Sequence, residues 1–168
     1  MANKKIGVVM GSGSDLTTIK EAINILKEFE VDFEVNIISA HRSPERVHSY
    51  ALEAEKKYEV IIAAAGGAAH LAGVIASLTP IPVIGVPMLT SGLGGLDSLL
   101  SMVQMPSGIP VPTMGIGKSG ALNAAILAVQ ILSVSDQKLR QKLVLYKKKL
   151  ADEVAKKDKE ARKELGLL

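Results

Sequence analysis

The stretch Val60-Ile61-Ile62-Ala63-Ala64-Ala65, followed at once by Gly66-Gly67-Ala68-Ala69-His70, decides the fold of this chain. An unbroken apolar run that ends at glycines is typical of a strand buried on both faces, and such strands occur in parallel sheets covered by helices. Shorter apolar runs at Ile6–Met10 and Pro82–Pro87 predict two further strands. Because apolar residues recur at helical spacing between these runs, the sequence predicts an α/β fold.

Five strands in all are predicted to alternate with helices. Phe33–Ile38 is expected to enter a buried part of the sheet, whereas a strand within Ile109–Ile116 is weakened by two prolines and is expected near an edge. This order predicts a three-layer, doubly wound parallel five-stranded sheet in a flavodoxin-like or Rossmann-like arrangement. A long helix from Asp136 to about Leu165 is expected to complete the chain.

The length of 168 residues predicts a single domain, with an α/β core over residues 1–133 and a C-terminal helix over residues 134–168. A domain of this size does not need so long an apolar stripe on its last helix, so part of that helix is expected at a subunit interface. The residues of this stripe are Leu139, Leu143, Tyr146, Leu150 and Val154.

The composition excludes several classes of protein. The chain has no cysteine, which rules out disulfides and thiolate metal ligands and favours a cytoplasmic enzyme. The first residues lead into a short apolar strand broken by Gly7, so neither a signal peptide nor a membrane span is expected. The net charge of +3 lies mainly near the C-terminus, where a basic helix is usually a solvated face, and nucleic acid is not an expected partner.

The segment Ser39–Pro44 carries the residues with the most evident chemistry. It places His41 and Arg42 after a predicted strand and directly before a helix, with Ser43 suited to the N-cap position. A helix N-terminus disfavours a neighbouring cation, so His41 is expected to be neutral and able to accept a proton, while Arg42 can clamp a phosphate or carboxylate. The alternative is an ordinary hydrogen-bonded loop histidine beside a solvated arginine.

Two more loops follow predicted strands. In Gly11–Asp15, Ser12 can donate to a phosphate and Asp15 can accept from ribose hydroxyls, although both can equally serve as a helix cap and a first-turn acid. In Gly66–His70, small residues allow a ligand close to the backbone, and the histidine either contacts that ligand or lines the turn. All three loops leave the carboxyl ends of strands, so we expect them to converge on one pocket.

Several motifs together resemble one known family over about residues 5–133. They are Gly11-Ser12-x-Ser14-Asp15, Ser39-Ala40-His41-Arg42-x-Pro44, Gly66-Gly67-Ala68-Ala69-His70-Leu71, Ser77–Pro87, and Gly95–Ser101 with Gln104-Met105-Pro106. In this order they resemble the bacterial 5-(carboxyamino)imidazole ribonucleotide mutases of purine biosynthesis.

The resemblance implies transfer of a carboxylate from the exocyclic nitrogen of aminoimidazole ribonucleotide to a ring carbon, without ATP, a metal or an organic cofactor. The implied steps are loss and recapture of carbon dioxide, with His41 shuttling the proton. It also implies a homo-octamer. The implied substrate-binding residues are Ser12, Ser39 and Arg42 near the phosphate, Asp15 near the ribose, and Gly67, Ala68, His70 and Leu71 around the base and carboxylate.

Other interpretations stay open. Animal-type relatives that carboxylate aminoimidazole ribonucleotide directly have lysine where the motif has arginine and lack the Gly-Ala-Ala-His run, so Arg42 and His70 favour the mutase. A flavodoxin-like electron carrier usually stacks its flavin on loop aromatics, and none of the five Phe and Tyr residues falls in the three loops. A non-catalytic nucleotide-binding or receiver-type module is the third alternative.

Overall fold

The computed structural model describes residues 5–167, which form two compact units, residues 5–132 and residues 133–167. The first unit alternates strands with helices, as predicted. Its elements are β1 (Lys5–Met10), α1 (Leu16–Glu28), β2 (Asp32–Ile37), α2 (Pro44–Glu53), β3 (Val60–Ala65), α3 (Leu71–Ala76), β4 (Val83–Pro87), α4 (Leu96–Val103) and α5 (Lys118–Ser133), whose last residue lies at the boundary between the units. Short 3-10 turns occupy Gly13–Asp15 and Ala54–Lys56.

The sheet is parallel throughout, with the strand order β2-β1-β3-β4. This is the flavodoxin-like order rather than the Rossmann order, which decides between the two predicted arrangements. All six residues of β3 are buried, as its apolar sequence predicts. Because parallel strands point the same way, the loops after β1, β2 and β3 leave at one edge of the sheet.

The prediction of a fifth strand is wrong, because the sheet formed by residues 5–167 has four strands. The expected segment does run beside β4, where the Gly85 N–H donates to the Pro112 carbonyl and the Met114 N–H donates to the Gly85 carbonyl, both at 2.9 Å. Only Thr113 forms a bridge with Gly85. Pro110 and Pro112 have no N–H to donate, so a regular ladder cannot extend from this bridge.

The predicted burial of the second strand is also wrong. β2 forms at nearly the expected place, but it lies at the edge of the sheet, and Val35 and Ile37 are 38% and 50% exposed. Of the predicted segment Phe33–Ile38, only Ile38, just after β2, is buried. The apolar sequence therefore identified a strand without indicating its place in the strand order.

The core covers both faces of the sheet. On one face, Val9, Ile61 and Ala63 pack in a cluster with residues of α2, α3 and α4. From β1 to β2 the chain moves along the sheet in the direction opposite to its steps from β2 to β3 and from β3 to β4. The right-handed crossover rule therefore places α1 on the other face. The helical residues of the first cluster are Val47, Ala51, Leu71, Ala72, Ile75 and Met102.

The second unit consists mainly of one helix, α6 (Gln137–Glu164), which agrees closely with its predicted span. Asp136 caps it, because the side chain accepts hydrogen bonds from the backbone N–H groups of Lys138 and Leu139. Within residues 5–167, no helix has the length and apolar character needed to cross a membrane.

Candidate active site

A cavity of about 450 Å³ lies at the carboxyl edge of the sheet. The three loops expected to converge do line it, together with residues that follow β4. The lining residues are Gly11, Ser12, Ser14, Asp15, Ser39, Ala40, His41, Arg42, Ala65, Gly66, Ala69, His70, Leu71, Met88 and Leu89.

The structure brings together most of the side chains singled out from the sequence. Those that line the cavity are Ser12, Asp15, Ser39, His41, Arg42, His70 and Leu71. Gly67 and Ala68 belong to the same loop as His70 but are not part of the cavity wall. The wall there is formed instead by Gly66 and Ala69, on either side of them.

His41 and His70 contact each other in the wall of the cavity. His41 Nε2 lies 2.9 Å from His70 Nδ1, and the rings meet edge to face with centroids 5.0 Å apart. One nitrogen must donate and the other accept, so this contact holds a single proton between the two rings. Protonating both facing nitrogens would break the contact. The contact therefore couples the tautomers of the two rings.

Arg42 is held in place by the two loops beside it. Its Nε donates to Ser39 Oγ at 3.3 Å, and its Nη2 donates to the Gly11 carbonyl at 3.1 Å. The guanidinium has five N–H donors, and these contacts use two of them. Arg42 thus presents a fixed positive charge at the cavity between the loops after β1 and β2.

Ser43 shapes the loop that carries His41 and Arg42, although not by capping the helix as expected. It occupies the N-cap position of α2 but makes no side-chain capping bond. Instead, Ser43 Oγ donates to the Ser39 carbonyl at 2.9 Å and accepts from the Ser39 N–H at 3.1 Å. These bonds close the turn, so the His41 and Arg42 side chains project from a rigid loop.

The loop after β1 is organised by hydroxyl groups. Ser12 caps the 3-10 turn by accepting from the Ser14 N–H, and its Oγ lies 2.9 Å from Ser14 Oγ. Ser14 Oγ also lies 3.3 Å from Asp15 Oδ1. Burial raises the pKa of Asp15, while hydrogen bonds from the Ser14 side chain and the Ser12 backbone partly oppose this. The loop therefore presents hydroxyls and a half-buried acid to the cavity.

Comparison with known proteins assigns the chain to a family. A family model described as "AIR carboxylase" matches residues 5–153. The chain belongs to the AIR carboxylase family. Two relatives carry the name N5-carboxyaminoimidazole ribonucleotide mutase: one from Pyrococcus abyssi is 60% identical over 144 residues, covering 85% of this chain and 82% of that protein. The other, from Escherichia coli, is 51% identical over 151 residues and covers 89% of each.

The fold agrees with a solved member of similar size. The crystal structure of Treponema denticola PurE matches this AIR carboxylase family member with a TM-score of 0.84 and 27% sequence identity. The match covers 94% of this chain and 98% of that chain. The family membership suggested by the motifs is thus confirmed by both sequence and fold.

Three serines of this AIR carboxylase family member are not among the site residues predicted from the sequence. Ser14 and Ser43 organise the loops described above, and Ser98 accepts a hydrogen bond from the Gly67 N–H at 2.9 Å. For Ser98, the sequence signals were its place in the motif Gly95–Ser101 and its polar side chain amid the apolar residues of α4. Its partner is 31 residues away, so the contact depends on tertiary packing.

Replacing Asp15 with asparagine is expected to raise the melting temperature at pH 7. Its raised pKa means that the folded protein disfavours the carboxylate, so the charge costs stability above that pKa. The cost should fade as pH falls toward about 4, where the unfolded carboxyl also gains its proton. Thermal unfolding of both proteins between these pH values checks this. Asp152→Asn, at an exposed position of α6, is the control, and an Asp15→Asn gain that grew on acidification would contradict the sign.

Proposed function

We propose that this chain is a mutase of purine biosynthesis that converts 5-(carboxyamino)imidazole ribonucleotide to 4-carboxy-5-aminoimidazole ribonucleotide. The observation that carries the proposal is the placement of His41 and Arg42 on one rigid loop, with His70 facing the first and a serine-rich loop beside the second. A proton carrier and an anion clamp in one cavity are what this substrate requires, and the named relatives share the family.

The substrate is proposed to bind with its phosphate beside Arg42, Ser12 and Ser39. The fixed guanidinium supplies charge, and the hydroxyls supply hydrogen bonds. Asp15 then accepts from the ribose hydroxyls, since it lines the same wall. The base and carboxylate lie toward the loop after β3. The residues proposed for that end are Gly67, Ala68, His70 and Leu71.

His41 is proposed to move the proton. Breaking the N–C bond of the carbamate releases carbon dioxide and leaves a nitrogen that takes up one proton. The ring carbon then forms a bond to carbon dioxide and gives up one proton. The atoms and charge balance with no redox change, so one group that donates and later accepts suffices. His41, paired with His70 at 2.9 Å, can fill that role, and no metal or cofactor is required.

An isotope experiment tests the function and separates it from direct carboxylation. Substrate labelled in its carboxylate and converted in unlabelled bicarbonate should give mostly labelled product. The reason is confinement, because a carbon dioxide molecule held beside the ring reacts before dissolved gas can compete. The label in the product is measured by mass spectrometry and corrected for spontaneous decay of the substrate without enzyme. Product carrying mainly solvent-derived carbon would instead identify a direct aminoimidazole ribonucleotide carboxylase.

The protein is further proposed to work as a homo-octamer. On α6, Leu150 and Val154 of the predicted stripe are 40% and 67% exposed, and Val144 and Leu145, which lie outside that stripe, are 65% and 66% exposed. Exposed apolar surface of this extent favours contact with another copy. Helix α5 offers less apolar surface to a second copy, since its residues Ala121, Ala124, Ala125 and Ala128 are already buried within one chain. A second exposed apolar group lies on and before α4, comprising Leu89, Leu93, Leu96, Leu100 and Val103.

Light scattering at micromolar concentration is expected to give a mass near eight times the 17.7 kDa of one chain. Burial of the exposed leucines and valines supplies the free energy of association. Leu145→Glu should lower the mass, whereas Lys148→Glu changes charge on the same helix without removing apolar surface. A mass equal to one chain in the unaltered protein would contradict the assembly.

The setting proposed for this enzyme is the cytoplasm, with neither nucleic acid nor membrane as a partner. A chain without cysteine suits a reducing compartment. The modest net charge of +3 supplies no strong attraction for a polyanion. The small-molecule ribonucleotide is therefore the principal ligand.

A further inference from the structure

Ser98 is a fully buried polar residue on α4 that the mechanism above does not use. Its exposed fraction is 0%, yet its hydroxyl is fully engaged. Ser98 Oγ accepts from the Gly67 N–H at 2.9 Å and donates to the Met88 carbonyl at 2.9 Å. A buried hydroxyl is favourable only when it is bonded in this way, so its environment selects serine over alanine.

The two groups joined by Ser98 belong to different loops. Gly67 follows β3 and Met88 follows β4, and the neighbouring Gly66 lines the cavity with Met88. The loops are also in direct contact: a Cβ added to Gly66 would lie 3.4 Å from Met88 Cβ and 3.6 Å from Thr90 Cγ2. The Met88 N–H also donates to the Ala65 carbonyl at 2.9 Å, so the strand pairing already brings the two cavity walls together. Ser98 adds a side-chain link between these walls, two residues beyond Ala65.

The wall that contains Gly67 also carries His70, which lies three residues further along the same loop. Gly67 has a φ of +69°, a left-handed conformation that favours glycine, and the chain then passes through two residues to His70 at the N-cap of α3. The position of Gly67 therefore influences where His70 meets His41. The loops that hold Arg42 and Asp15 have no such contact with Ser98 among the described hydrogen bonds of residues 5–167.

We propose that Ser98 is a positioning residue: by holding Gly67 against Met88, it keeps the His70 wall of the cavity aligned with His41 and closed around the carboxylate. The inference rests on the proposed function. It predicts a division of labour, because Ser98 governs the end of the cavity where carboxylate transfer is proposed and leaves the phosphate end unchanged.

Ser98→Ala is expected to lower kcat about tenfold, while KM for the carboxyamino ribonucleotide changes by less than about twofold. Retention of labelled carboxylate should fall in the same variant, since a looser wall lets carbon dioxide escape. Ser98→Cys, with a similar shape and weak donor and acceptor capacity, should recover part of both losses. Ser77→Ala is the control, because it removes an exposed hydroxyl bonded to the Val74 carbonyl at 2.8 Å.

Hydrogen exchange supplies a readout that does not depend on catalysis. The Gly67 amide should exchange slowly in the unaltered protein and at least about tenfold faster in Ser98→Ala, with exchange of the β3 amides unchanged. If Ser98→Ala does not fold, the same comparison is made with Ser98→Cys, which should be intermediate.

The possible outcomes are distinct. A higher KM for Ser98→Ala with unchanged kcat would overturn the positioning role. A lower melting temperature of this variant, with kcat, label retention and Gly67 exchange all unchanged, would also overturn it. If the unaltered protein does not convert the ribonucleotide, the proposed function fails. Gly67 exchange then decides the structural claim alone: acceleration in Ser98→Ala supports the link between the loops, and no acceleration refutes it.

Discussion

The His41→Asn protein is expected to lose activity by about a hundredfold to ten-thousandfold, while it folds and binds the ribonucleotide almost normally. Asparagine is polar and fits within the space of the imidazole, with an atom near the position of Nδ1, but it is too short to replace Nε2 and so loses the 2.9 Å contact with His70 Nδ1. It cannot take up and return a proton near neutral pH. The proposed reaction needs one proton delivered to nitrogen and one removed from carbon, and the asparagine variant can do neither.

Steady-state kinetics with the carboxyamino ribonucleotide measures this effect, and calorimetry with the product measures binding. His48→Asn is a matched control, because His48 is an exposed histidine on the adjacent helix α2 and lies outside the cavity lining. That variant should keep full activity. Near-normal turnover by His41→Asn would show that the proton carrier has been misassigned, whereas loss of binding together with kcat would indicate a damaged loop.

Arg42→Ala is expected to weaken binding of the ribonucleotide by about 1.5–3 kcal/mol, or roughly 10-fold to 150-fold in Kd. The variant removes a charge-assisted contact to the phosphate and also the bonds to Ser39 Oγ and the Gly11 carbonyl. Arg42→Lys keeps the charge but loses the planar fork, so it should recover only part of the affinity. Turnover at saturating substrate should fall less than in His41→Asn.

Calorimetric titration with the product, repeated at low and high salt, checks the role of this charge. Arg46→Ala is the matched control, since Arg46 is an exposed arginine on α2 that does not line the cavity. Loss of the Arg42 contact should flatten the salt dependence of binding, whereas the control should leave it unchanged. Equal affinities for Arg42→Ala and the unaltered protein would remove Arg42 from the phosphate site.

Much of the fold could be predicted because its signals are local. The apolar run of β3, the helical spacing of α1 and α2, and the Asp136 cap of α6 each depend on residues close together in the chain. Parallel order then follows from the alternation of strands and helices. Since parallel strands end at one edge, the sequence alone predicts that the loops with Asp15, His41 and His70 meet.

Strand order and strand pairing were less accessible. Val35 and Ile37 have the residue type of a buried strand, yet their exposure follows from the edge position of β2. The segment around Thr113 has the apolar content of a strand, but the missing N–H groups of its prolines matter only beside a particular neighbour, β4. Both properties belong to the completed sheet rather than to the segment.

Local sequence is enough to identify the available chemical groups: one loop histidine and arginine, a serine-rich turn with an acid, and a glycine-rich turn ending in a second histidine. Their contacts depend on the folded chain. His41 reaches His70 across 29 residues, Arg42 reaches Gly11 across 31, and Ser98 reaches Gly67 across 31. A hydrogen bond needs its donor–acceptor distance to fall within a few tenths of an ångström of the optimum. Such alignment arises only when the packed helices and sheet fix both loops at once.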